Sequence, residues 1–239
     1  MAFLMGKAMP QRVKIVYFTW INPQARWDQI IAGQLDQLKK TGLLEVSEFH
    51  AHIVATGAYL HLVTSLVASI IPNAIISTSE NNEYEYRGIH RVWKLAQDSV
   101  QPDDIYLYFH SKGMSYNRGR DLLERLIFQE VIEAWKQCLE IFATRSDINK
   151  IGHAASEQGY VWWNFWWVRG SYLRECVEPI INSNRYYYEE WLHLKLPHYK
   201  PSTYRECYSL AGQSSERAYT SPNAVAAMQQ VIERYYRSL

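Results

Sequence analysis

An α/β fold, with a mainly parallel central sheet flanked by helices, is what this sequence predicts. Three observations predict it. Short runs of β-branched and aromatic residues alternate with segments whose apolar residues recur at helical spacing. The helical segments are long enough for the crossovers that parallel strands require. The 239 residues, 48% hydrophobic and 21% charged, suffice for one large core. Residues 1–12 read as a disordered or tag-like leader and 13–239 as a single domain, since no repeat, linker or low-complexity stretch divides them.

Val13 to Trp20 is a compact apolar run and gives the first strand. Asn22-Pro23 then offers a helix start, and Trp27, Ile30, Ile31, Leu35 and Leu38 keep helical spacing up to Gly42. A second strand is expected at His50 to Thr56, closed by Gly57, with a helix through Leu60, Val63, Leu66, Val67 and Ile70 that Pro72 ends. Ala74 to Thr78 supplies a third strand, Ile89, Val92, Trp93 and Ala96 another amphipathic helix, and Ile105 to Phe109 a fourth strand. Arg120 to Thr144 reads as one long helix, Ile151 to Ala154 as a short strand, and Ser221-Pro222 as the start of a terminal helix.

Composition excludes several functions. The 25 Lys and Arg against 24 Asp and Glu leave a net charge of +1, which gives no basic surplus for binding nucleic acid over a long footprint. Cys138, Cys176 and Cys207 fit neither a disulfide framework nor a zinc motif, and a cytoplasmic setting follows. The longest apolar stretch, Tyr59 to Ile76, is broken by polar residues and Pro72, so no transmembrane segment is expected. Aromatics reach 14%, and rings with a polar edge suit interfaces and flat polar ligands.

In a parallel sheet, ligands bind beyond the carboxyl ends of the strands. His110-Ser111-Lys112-Gly113 lies at one such end and would offer positive charge and donors to a diphosphate; a plain solvated turn is the competing reading. Trp162-Trp163-Asn164-Phe165-Trp166-Trp167 has rings on both alternations, so it is either buried on both faces or shows rings and an amide to a sugar. Glu189-Glu190, framed by Tyr187 and Trp191, is either a proton acceptor among apolar neighbours or an ordinary acidic helix start.

Taken in order, the first strand, Tyr84-Glu85-Tyr86, the strand entering His110-Ser111-Lys112-Gly113, Asn164-Phe165-Trp166-Trp167, and Arg185-Tyr186 with Glu189-Glu190-Trp191 resemble a group of glycosyltransferase-like proteins of bacteria and large DNA viruses with a GT-A fold. The resemblance spans roughly residues 13–195. It implies a hexosyltransferase-type enzyme that moves a sugar from a nucleoside-diphosphate donor, such as a UDP-sugar, to a glycan or other hydroxylated acceptor. Thr19, Trp20, Thr56 and Gly57 would then hold the base and ribose, and His110, Ser111 and Lys112 the diphosphate, with Arg87 reaching the phosphate or sugar. Asn164 and Trp166 would shape the sugar and acceptor pocket. Glu190 would be the base of an inverting reaction, with Glu189 as its substitute.

The chain departs from the family pattern at one point. The usual Asp-x-Asp that holds a divalent metal (Mn or Mg) is replaced by His110-Ser111-Lys112, which leaves the metal unassigned. Asp103-Asp104 starts the fourth strand and lies about 20 Å from its far end. A non-catalytic nucleotide- or glycan-binding protein that kept the fold is the alternative function, and an interaction module with an aromatic surface is a third.

Overall fold

The computed structural model describes residues 12–112, 114 and 122–237. Most of the expected leader and Gly113 lie outside the described residues. Seven strands form one sheet in the order β3-β2-β1-β4-β6-β5-β7. They are β1 (Val13–Trp20), β2 (Ser47–Val54), β3 (Ile75–Ser79), β4 (Ile105–His110), β5 (Lys150–Gly152), β6 (Trp166–Arg169) and β7 (Cys207–Ser209). β3, β2, β1 and β4 run parallel, β6 is antiparallel to both β4 and β5, and β5 pairs with β7 in parallel. The sheet is mainly parallel and mixed, flanked by helices.

Both alternations of β1 are buried, which is why it reads as a continuous apolar run. Ile15 and Tyr17 join the core beneath α1 (Trp27–Lys40), α2 (Ala58–Ile70), α4 (Leu122–Phe128), α5 (Trp135–Thr144) and α8 (Ser221–Arg237). Val16 and Phe18 join the opposite core, covered by α3 (Tyr86–Asp98), α6 (Gly170–Glu175) and α7 (Tyr186–Glu190). Trp166 and Trp167 divide between these two cores, so the aromatic run at 165–167 is interior on both faces.

β3 and β5 shift by one or two residues from the sequence expectation, and two larger differences stand out. β2 begins at Ser47, because parallel pairing with β1 starts at Val13↔Ser47, and it ends before Thr56-Gly57. Gly57 has φ +55°, outside strand geometry, and precedes the first turn of α2. The long helix is instead two helices joined by a π-helical turn, Gln129–Glu133, and Ala134. Asp104 is buried at the amino end of β4, where it pairs with Lys14 at 3.3 Å, far from the carboxyl edge. No helix among the described residues is long and apolar enough to cross a membrane, and the three cysteines are buried and unbridged.

Candidate functional site

The chain lays β1, β2 and β3 outward in one direction and then places β4 on the other side of β1. Strand order therefore reverses between β1 and β4, and the edge beyond their carboxyl ends is where open sheets of this kind form a ligand crevice. The exit of β4 is fastened to β1. Ser111 N donates to Phe18 O at 2.9 Å, and the Thr19 hydroxyl donates to Ser111 Oγ at 2.8 Å. The Asn22 amide donates to Met114 O at 3.1 Å. Beneath this floor, Tyr17 OH donates to Gln34 Oε1 at 2.9 Å, while Gln34 Nε2 donates to Glu124 Oε1 at 2.8 Å and to His110 O at 3.2 Å. All three of those side chains are fully buried, so the crevice stands on a satisfied polar network with little freedom to shift.

On the α3 side of the crevice the donors converge on one carboxylate. Glu85 Oε2 receives Tyr108 OH at 3.0 Å and Asn164 Nδ2 at 2.9 Å. The Asn164 amide also donates to Tyr188 O at 3.2 Å, and its oxygen accepts Trp166 Nε1 at 3.3 Å. Trp163 and Asn164 both have left-handed backbones, φ +72° and +53°. Such geometry is rare in bulky residues and concentrates at functional sites. It turns the Trp163 carbonyl toward His110, whose Nε2–H donates to it at 3.4 Å. His110 also sets its ring edge-on to Phe165, with centroids 5.5 Å apart.

The electrostatics join His110, Lys112, Glu85 and Glu189 into one cluster. Burial holds His110 below its ordinary pKa, the Glu85 carboxylate opposes this, and Lys112 adds to it. Burial raises the Glu189 carboxyl; Lys112 opposes that shift and Glu85 reinforces it. Glu189 is half-buried, whereas Glu190 is exposed and offers its backbone carbonyl to His193 Nδ1 at 2.5 Å. The carboxylate facing the cluster is thus Glu189, which reverses the order of preference expected from Trp191 and Tyr187. Trp191 is wholly buried, so it forms core beneath the helix and does not flank Glu190 in a pocket.

Other expected residues fall elsewhere. Thr19 is fully buried with its hydroxyl committed to Ser111, itself buried, so both brace the crevice and neither faces a ligand. Trp166 is core, stacked on Tyr108 with centroids 4.9 Å apart, and does not line a pocket. Asn164 is buried as well, and its amide positions Glu85. Arg87 donates to Glu83 Oε2 at 2.6 Å and its guanidinium lies over the Tyr86 ring. Trp20 is half-buried, and Thr56 and Gly57 are exposed at the carboxyl end of β2 beside it. Sequence reasoning gave Glu85 and Tyr108 no role and Trp163 only a share in the aromatic run; the tyrosine–glutamate–tyrosine triplet at the start of α3 was the one available signal for Glu85.

At the described part of the β4 exit, His110 to Lys112, no carboxylate is present. The side chains there are an imidazole, a buried hydroxyl and an ammonium, and no three His, Cys, Asp or Glu side chains converge on a cation site among the described residues. Lys112 supplies positive charge where the resemblance would place metal-binding carboxylates.

No family model matches this chain, and no curated protein does. Among solved structures, a 4-diphosphocytidyl-2C-methyl-D-erythritol synthase is similar at 9% identity and TM-score 0.36, over 68% of this chain and 77% of that one. The synthase of that name from Anaerococcus prevotii is similar at 8% identity and TM-score 0.38, over 93% of this chain and 96% of its own. Likeness at that level does not bear on what this chain does.

Proposed function

We propose that this chain is a GT-A-like glycosyltransferase that moves a sugar from a nucleoside-diphosphate donor to a hydroxylated acceptor. The observation that carries the reading is the convergence of Lys112 and the shielded Glu189 carboxyl at the carboxyl end of β4, where strand order reverses. A cation and a carboxyl held near each other meet the two demands of the reaction. Lys112 sits where negative charge develops on the departing diphosphate. Glu189, raised by burial, accepts the proton of an acceptor hydroxyl. The acceptor oxygen then forms its bond to the anomeric carbon as the bond to the diphosphate oxygen breaks. One carboxylate acting as base in a single displacement implies inversion. His110, held neutral by burial, donates to the Trp163 carbonyl and orients that turn.

Calorimetric titration of the full chain with uridine and guanosine diphosphates tests the donor half. Ligand at ~100 times its dissociation constant should also stabilise the fold by about 2.7 kcal/mol. Binding of either diphosphate, followed by sugar release from the matching donor, is the expected outcome. Absence of binding by every nucleoside diphosphate would remove the reading.

A further inference from the structure

A second polar pair lies on the other face of the sheet, outside the cluster described above. His153 directly follows β5, at the same carboxyl edge as His110 and about 10 Å from β4 by strand spacing. Its side chain is wholly buried. Nδ1 is bonded to Glu130 Oε2. A carboxylate accepts, so Nδ1 carries a hydrogen, and in the tautomer with Nδ1–H alone Nε2 is an acceptor. Among the described residues, Nε2 is the one buried side-chain polar atom with no hydrogen-bond partner. Leaving such an atom unpaired is costly, so it calls for a physical explanation.

Three features make this a built site. Glu130 belongs to the π-helical turn Gln129–Glu133, a rare conformation frequent at functional positions. Glu130 also lines a cavity of about 520 Å³ between that turn and α8, while its Oε2 orients the imidazole. The half-buried Trp163 ring packs against His153 at a tilt of 51°, with centroids 5.1 Å apart, on the left-handed residue whose carbonyl contacts His110. An indole beside a hydrogen-bond acceptor is what a sugar ring needs, with its apolar face and ring of hydroxyl donors.

We propose that His153 Nε2 accepts a hydrogen bond from a carbohydrate hydroxyl, in a subsite covered by Trp163, which turns off the imidazole to admit the sugar and packs on its apolar face. Glu130 is the positioning residue that fixes the tautomer. The inference rests on the proposed function only for the class of its ligand.

The test is imidazole ¹⁵N NMR on the full chain, with His153 assigned by His153→Gln. The probes are the methyl glycosides of glucose, galactose, mannose and rhamnose. The free protein should show the Nδ1–H tautomer, with Nε2 at the position of an unprotonated nitrogen. A binding glycoside should shift Nε2 and the Trp163 indole together and saturably. Trp163→Ala should weaken that glycoside, and His153→Phe should weaken it about three- to tenfold, the worth of one neutral hydrogen bond. Glu130→Leu should redistribute the tautomers in a chain that still folds, which a purely structural contact elsewhere would not do. An Nε2 signal unmoved by all four glycosides overturns the proposal, as does a free protein protonated on Nε2. Diphosphate binding with His153 unmoved would sink this inference alone, whereas glycoside shifts at His153 without any nucleotide binding would sink the donor reading alone.

Discussion

Asn164 donates to Glu85 Oε2 at 2.9 Å across 79 positions of sequence, and this bond ties the turn before β6 to the start of α3. The same amide serves Tyr188 O and Trp166 Nε1. Asn164→Ala should therefore strand several buried groups and destabilise the fold by about 2–4 kcal/mol. Urea denaturation measures this, and a loss within about 0.5 kcal/mol would show that Glu85 is held by Tyr108 alone.

Glu189 and Glu190 are neighbours with different surroundings. Glu189→Gln keeps shape but removes the proton acceptor, so turnover should fall about 100-fold or more with donor affinity little changed. Glu190→Gln should have a mild effect. Transfer rates and donor binding for both variants decide it, and a dominant Glu190 effect would return the base to the exposed residue.

Lys112→Ala should cost roughly 1.5–3 kcal/mol of nucleoside-diphosphate affinity, the worth of a charge-assisted contact. Transfer by the unaltered chain should survive EDTA, since a fixed ammonium neutralises the leaving group. Complete loss on chelation, restored by manganese, would contradict that role.

Acid should destabilise this protein through its buried imidazoles. Burial, then Arg87 and Arg91, push His52 from 6.5 to about 4, and its ring lies within hydrogen-bond distance of the Ser77 and Ser79 hydroxyls. Between those two values the unfolded chain binds the proton more tightly. Stability should thus fall as the pH drops from about 6.5 and level off below about 4, by up to about 3 kcal/mol from this group. His50, His110 and His193 are lowered too and act in the same direction. Glu189, raised by burial, acts oppositely. Denaturation of His52→Gln across this range should show a shallower slope, and an unchanged slope would remove His52 as a main source.

Gly88 brings α3 against the sheet. A Cβ there would meet Phe18 Cβ at 2.6 Å and Tyr108 OH at 2.9 Å. Gly88→Ala should cost about 1–3 kcal/mol by overpacking and shift the tyrosine that holds Glu85. A thermal midpoint equal to that of the unaltered chain would show that the helix can move away freely.

Much of the architecture was legible in the sequence because it follows from local pattern. The runs at Val13–Trp20 and Ile105–His110 are apolar on both alternations, as doubly buried strands must be, and the helices between them carry one apolar stripe each. From these, the parallel sheet and the position of its carboxyl edge follow, and with them the interest of His110 and Lys112. Pattern also made a burial on both faces one of two readings for Phe165, Trp166 and Trp167.

Tertiary structure alone decided which side chains face the crevice. Periodicity counts residues along one element, whereas exposure at this edge depends on partners 79 positions away for Asn164 and 92 for Thr19, whose polar groups are spent on Glu85 and Ser111. The choice of Glu189 over Glu190 turned on how a five-residue helix is rotated against the β4 exit, which short local spacing does not fix. The His153–Glu130 pair joins a strand end to a π turn that the sequence presented as plain helix, and only the packed core reveals that Nε2 was left without a partner.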